Sequence, residues 1–207
     1  MNRWRKAGLT WEELERKEHH SDALTPPDSL SSRALIVAAN RGPVTFQKTD
    51  DGTLVCQRGE GGLVTALTGL CRHVDVTWVA CARSNTDASW RSGNVTLADG
   101  SHIQVHFLSP DPAVYEGYYH TIANPLLWFL QHSMWDVPRA PVIDRATWHA
   151  WEQGYVTVNR LFAQAIAAQI RATPRPGLVM LQDYHLYLTA RFLRDILRPH
   201  ERPTVLH

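Results

Sequence analysis

Leu178-Val179-Met180-Leu181 is a run of four apolar residues that stops abruptly at Gln182-Asp183-Tyr184-His185. Behind it, Leu186, Leu188, Phe192, Leu193, Ile196 and Leu197 recur near the helical period. A short run without alternation suits a strand covered on both faces. Followed by a polar tip and an amphipathic helix, it reads as the βα unit of an open α/β sheet. Ala34-Leu-Ile-Val-Ala-Ala39 and Val76-Thr-Trp-Val-Ala-Cys81 are further buried-strand runs, and Pro203-Thr-Val-Leu-His207 is a second strand that ends in an ionisable tip. Ligands of such sheets sit beyond the carboxyl ends of the strands, where Asp183, His185 and His207 would project. The same position also lets Asp183 do no more than cap the following helix, with His185 packed beside it.

The order of segments is strand, helix, strand, antiparallel additions, helices, strand, helix, strand. It predicts an α/β fold with a Rossmann-like, doubly wound, mainly parallel sheet. Val44-Thr-Phe-Gln and Thr53-Leu-Val-Cys flank Asp51-Gly52, a hairpin signal. His102–Leu108 is apolar at 103, 105 and 107, the alternation of an edge strand. Trp148–Ile170 is a long helix with Tyr155, Val158, Phe162, Ile166 and Ile170 on its core face. Residues 1–32 read as an N-terminal extension and linker, with a short helix near Thr10–Glu13 and a Ser/Pro/Asp-rich stretch after His19. Residues 33–207 form the domain.

A net charge of +1 argues against non-specific nucleic-acid binding, so any anion site must be local. No apolar run approaches the length of a membrane span, and the basic start lacks an apolar signal core. Cys56, Cys71 and Cys81 have neither metal spacing nor a paired framework and fit a reducing cytoplasm.

Three stretches carry candidate chemistry. Arg41, at the end of the Ala34–Ala39 run, is placed to grip an anion bidentately, or else is a solvated turn residue. Gly59, Gly61 and Gly62 precede a helix whose N-terminal N–H groups could meet a phosphate; glycines also serve any tight turn, and the spacing is neither a dinucleotide fingerprint nor a P-loop. Residues 111–132 concentrate Tyr115, Tyr118, Tyr119, His120, Asn124, Trp128 and His132. Aromatic faces with hydrogen-bonding tips suit carbohydrate, and they also suit a folded core.

Asn40-Arg-Gly-Pro-Val44, Gly61-Gly-Leu63, Tyr118-Tyr119 with Asn124 and Trp128, His132, the helix with Tyr155, Val158 and Asn159, Gln182-Asp-Tyr-His-Leu186 and Leu206-His207 follow one another as in trehalose-6-phosphate synthases. The chain resembles that family from about residue 34 to its last residue. The resemblance implies the N-terminal, acceptor-side domain of a retaining GT-B glycosyltransferase that joins a nucleotide sugar to glucose 6-phosphate. UDP-glucose is the usual donor, and GDP- or ADP-glucose are alternatives. It implies that Arg41, Tyr119 and Trp128 bind the acceptor phosphate and that Asp183 orients the acceptor sugar. Gly62 would meet the donor phosphates and His207 the donor glucose, with Gly61, Gln182 and His185 in support. No metal and no cofactor beyond the nucleotide-sugar co-substrate is implied, nor any nucleic-acid or membrane partner; a homo-oligomer is compatible with the reading.

Three departures stand out. The family's usual His-Asp-Tyr-His-Leu reads Gln182-Asp-Tyr-His-Leu here. Its Gly-Trp-Ser-Gly turn is replaced by Ala80-Cys81-Ala82-Arg83, which loses a Trp near the acceptor phosphate and offers Arg83 as a replacement cation. The pseudo-glycosyltransferases of the same family, which join cyclitols through nitrogen, also lack that Trp. A non-catalytic sugar-phosphate-binding module is the alternative from outside the enzymes. The third departure is length: the family's second, nucleotide-holding half is missing, so the chain is expected to be a fragment.

Overall fold

The computed structural model describes residues 34–59, 64, 67, 71, 73–97, 100–134, 141–173 and 177–207. The expected extension at 1–32, with its short helix, lies outside the described residues, as do Gly61 and Gly62. Six strands form the main sheet: β1 (Ala34–Ala39), β4 (Val76–Cys81), β5 (Ser92–Thr96), β6 (His102–Leu108), β7 (Gly177–Leu181) and β8 (Thr204–Leu206). Their spatial order is β5-β6-β4-β1-β7-β8, and all neighbours are parallel except β5 and β6. The parallel part is therefore a doubly wound sheet whose strand order reverses between β1 and β7. That reversal opens a crevice beyond the carboxyl ends of these two strands.

The continuous apolar runs are explained by cover on both faces. Ile36, Ala38, Val79, Cys81, Val179 and Leu181 point into one cluster of buried side chains. Leu35, Val37, Ala39, Trp78 and Ala80 point into the other. A short helix, α1 (Asn85–Trp90), packs Trp90 on the second cluster, and the first is closed by three helices: α2 (residues 112–131), α3 (residues 145–172) and α4 (Thr189–Ile196). Tyr155, Val158, Phe162, Ile166 and Ile170 are all buried there, as the helical spacing predicts. The helix begins at Arg145 rather than near Trp148, because Asp144 and Thr147 form a reciprocal cap. The second cluster is closed in part by Val64 and Leu67, which are helical and buried, and by Val44 and Phe46 of a separate hairpin. That hairpin pairs β2 (Val44–Lys48) with β3 (Leu54–Arg58), and Gly52 takes a φ of 87° in its turn.

One strand assignment is corrected. β6 alternates buried and open residues, yet it lies between β4 and β5, so β5 is the edge. Alternation reports which face is covered and not whether the strand's hydrogen bonds are used up on both sides.

Two helices carry wide, π-type turns: Glu116–Trp128 within α2 and Trp151–Val156 within α3. Pro125 lies inside the first and cannot donate to the regular ladder. The two wide segments cross at Gly117 and Gly154, where a Cβ on Gly154 would stand 2.5 Å from the Tyr118 nitrogen. Only glycine permits that approach.

Candidate functional site

The crevice between β1 and β7 is where the polar tips converge. Asn40 and Arg41 leave β1. The buried Trp78 indole donates to the Arg41 carbonyl at 3.1 Å, which fixes the backbone that carries the guanidinium. Gly42 follows immediately, because a Cβ there would come within 2.9 Å of the Phe107 ring. Gly59 packs in the same way against Gly42 and Pro43, and its N–H donates to the Pro43 carbonyl at 2.7 Å. Of the three glycines considered as a phosphate loop, the described one is thus a close-approach glycine at the end of β3.

Across the crevice, Asp183 leaves β7 with φ 71° and ψ 169°, a backbone region in which non-glycine residues are strained. Its carboxylate accepts from the Tyr184 N–H at 2.8 Å and lies 3.6 Å from His185 Nδ1, an ion-pair distance rather than a good hydrogen bond. Burial pushes this carboxyl up, but His185, the Tyr184 N–H and the imidazole of His132 bring it below its ordinary value. Asp183 therefore caps the short 3₁₀ turn Tyr184–Leu186 and also presents a half-exposed carboxylate to the crevice. The cap expected of Asp183 is present, and the carboxylate is not confined to it.

His185, expected to project like Asp183, is buried. Its ring is stacked on Tyr184 at 4.3 Å and on Tyr119 at 5.7 Å, between centroids. Nε2 is buried without a hydrogen-bond partner among the described residues, as is the hydroxyl of Tyr118 nearby. His185 lies between the rings of Tyr184 and Tyr119, behind the Asp183 tip. The turn that carries it is held by Asn159, whose side chain donates to the His185 carbonyl at 3.1 Å and accepts from Leu188 N–H and the Thr189 hydroxyl. Tyr155 adds a hydrogen bond from its hydroxyl to the Tyr184 carbonyl.

Tyr119 is the meeting point. Burial alone would push its phenol up. Hydrogen bonding from Arg41 and Asn124, the charge of Arg41, and Arg83 outweigh burial and hold it below the ordinary tyrosine value. Asn124 also accepts from the Tyr184 hydroxyl at 3.0 Å. Tyr184 itself is pushed up to about 12 by burial and by the charges of Asp183 and Tyr119, against the opposing charge of Arg41. Arg41, Tyr119, Asn124, Tyr184 and Asp183 thus form one electrostatically connected rim, which can hold an anion at the Arg41 end and accept sugar hydroxyls at the Asp183 end.

Trp128, more than one-third exposed, packs its ring 4.5 Å from His132, whose charge reaches Asp183. It borders the rim. Gln182 ties the strands together through its N–H to the Ala38 carbonyl at 2.9 Å. His207 is exposed beyond β8; its ring is 5.1 Å from that of Tyr187, which in turn donates to Gln131 at 2.8 Å. Among the described residues it touches the flank of the crevice rather than Asp183. Asn124 and Tyr184 were not singled out as site residues, although both lie inside the quoted motifs.

A cleft of about 360 Å³ runs from this rim between the hairpin and the exit of β4, lined by Arg41, Arg58, Arg83, Gln47, Gln57 and Ser84 among others. A larger groove, about 560 Å³, lies between α4 and β8 and is lined by Arg191, Arg194 and Arg202. The smaller cleft adjoins the convergent polar groups, and that convergence rather than volume marks the site.

The sequence model of glycosyltransferase family 20 matches residues 33–201. A trehalose-6-phosphate synthase of Mycobacterium ulcerans is 38% identical over 165 residues, which cover 80% of this chain and 30% of that protein. The chain thus spans about 30% of the length of this curated relative. Among solved structures, an alpha,alpha-trehalose-phosphate synthase (UDP-forming) from Burkholderia xenovorans in complex with glucose-6-phosphate superposes with a TM-score of 0.53 at 18% identity, covering 84% of this chain and 33% of that one. An E. coli protein bound with UDP-2-fluoro glucose gives a TM-score of 0.54 at 19% identity, covering 78% and 30%.

Proposed function

The chain belongs to glycosyltransferase family 20, and on that premise we propose that it is the acceptor half of a cytoplasmic trehalose-6-phosphate synthase. The complete enzyme transfers glucose from a nucleotide sugar to glucose 6-phosphate, with retention at the anomeric carbon. UDP-glucose is the first choice of donor, with GDP- or ADP-glucose behind it. The observation that carries the reading is the rim itself: a guanidinium, a phenol held below its ordinary value and an ionised carboxylate converge at the reversal of strand order. A phosphorylated sugar is complementary to this order of groups, with an anion at one end and hydroxyls at the other. The ligand of the Burkholderia xenovorans structure, glucose-6-phosphate, is of this kind.

In this mechanism Arg41 and Tyr119 hold the acceptor phosphate, with Trp128 beside them, and Asp183 accepts from the acceptor hydroxyls and orients the nucleophilic one. Attack comes from the face that the diphosphate leaves, and a leaving-group oxygen takes the hydroxyl proton. No carboxylate pair of the glycosidase kind is then needed. Gly62, through its backbone, and His207 are assigned to the donor, and a second domain supplies the remaining nucleotide contacts. Catalysis comes from positioning and from stabilising the departing diphosphate; the proposal calls on no resident metal or cofactor.

The test is Arg41→Ala in the full-length protein. The KM for glucose 6-phosphate should rise roughly 10- to 100-fold, the loss of a charge-assisted hydrogen bond, with the donor KM little changed. An unchanged acceptor KM sinks the role of Arg41. Cys81 supports a second reading, the coupling of a cyclitol: it is fully buried, its thiol is pushed up to about 12 by burial, and it offers the crevice neither a ring nor a cation. Product analysis with glucose 6-phosphate as acceptor separates the two. A protein that binds the phosphorylated sugar but turns over no donor would be a binding module.

A further inference from the structure

Arg83 follows β4 at the same carboxyl edge as Arg41. Its backbone is anchored: its N–H donates to Asp87 Oδ2 at 3.0 Å, while Oδ1 of the same carboxylate accepts from the Phe46 N–H at 2.7 Å. Asp87 is fully buried and occupied by these two donors. The Arg83 guanidinium lies over the Tyr119 ring, 5.9 Å from its centroid. Among the described residues no carboxylate pairs with that guanidinium. It lines the same cleft as Arg41, and both reach Tyr119. Two guanidiniums are thus brought to one phenol, and that of Arg83 has no carboxylate partner among the described residues. The natural counter-ion is a compact dianion, which two planar forks can grip from different sides.

We propose that Arg83 is a specificity-determining residue of the acceptor pocket, forming with Arg41 and Tyr119 a two-arginine clamp that selects a dianionic phosphate monoester over a monoanionic ester. This inference rests on the acceptor-site reading above. A phosphate monoester carries close to two charges at neutral pH, whereas a sulfate ester carries one. A single arginine discriminates weakly between them. A second one, stacked on a ring that limits its motion, adds attraction for the second charge.

The experiment uses the full-length protein with glucose 6-phosphate, glucose 6-sulfate and unphosphorylated glucose as competing probes, in the wild type and in Arg83→Gln, Arg83→Lys and Arg41→Gln. Thermal melting checks that each variant is folded, which the exposed position of Arg83 favours. Arg83→Gln should weaken binding of the phosphate ester roughly 10- to 100-fold, leave glucose unaffected and narrow the preference for phosphate over sulfate. Arg83→Lys should restore part of that preference, since the charge returns without the fork. If Arg83→Gln leaves the phosphate-to-sulfate preference intact while Arg41→Gln weakens the phosphate ester, the clamp is overturned and the acceptor site stands. If neither variant weakens it, the acceptor-site reading itself falls and the clamp with it.

Discussion

Tyr118 and Tyr119 are consecutive residues on one helix, yet they belong to regions with opposite chemistry. Tyr118 is fully buried with its hydroxyl unpartnered among the described residues, and burial holds its phenol far above the ordinary value. Tyr119 sits at the rim, where Arg41, Asn124 and Arg83 bring its phenol below the ordinary value. The first belongs to a buried layer of rings and aliphatic side chains, with Tyr155, Phe162 and Ile122, from which water is excluded. The second belongs to a partly open rim where charged groups meet. A phenol buried without donors resists ionisation through desolvation, and one beside cations gives up its proton readily. The same side chain is therefore structural or functional according to which side of one helix it leaves.

The comparison can be broken most forcefully from below. Phe162→Ala removes a fully buried ring and should cost about 3–5 kcal/mol of stability in urea unfolding, with no change in the acceptor KM of the protein that remains folded. A large KM effect would show that ring layer and rim are not separable. A smaller effect of opposite sign comes from the rim. Asp183→Gly relieves the strained backbone and should raise stability by about 1 kcal/mol while abolishing turnover of the acceptor. A stability loss instead would mean that the contacts of Asp183 with Tyr184 and His185 outweigh the strain.

The smallest effect is in pH dependence. The phosphate needs Tyr119 as a neutral donor, so acceptor affinity should fall as pH rises through the Tyr119 titration, which lies below the usual tyrosine range. Tyr119→Phe should remove that alkaline limb. Tyr184, at about 12, titrates too high to produce it, so Tyr184→Phe should leave the limb in place.

The contrast also explains what could be read from the residues alone. The apolar runs at Ala34–Ala39, Val76–Cys81 and Leu178–Leu181 are long enough and uniform enough to demand cover on both faces, so the parallel sheet and its polar tips were legible. The core face of α3 followed from its period. The lie of β6 was not legible, because alternation is blind to hydrogen bonding along the sheet. The burial of His185 and the strained backbone of Asp183 were not legible either. Both depend on Asn159 and Tyr155 reaching across from a helix, over 26 and 29 residues of sequence respectively. The partnership of Arg41 with Tyr119 and Arg83 is likewise a product of three separate segments, and no local spacing encodes it.

The facing wide turns of α2 and α3 add a constraint on how such a chain can vary. Each helical residue advances the direction of its side chain by roughly a quarter of a turn, so the loss or gain of one residue within 116–128 would rotate Trp128 and His132 away from the crevice. The glycine crossing with 151–156 blocks compensation by sliding. Length, more than side-chain identity, then fixes where these two rings stand. A relative whose helix is one residue shorter here should be expected to have changed its acceptor, even with every rim residue still in place.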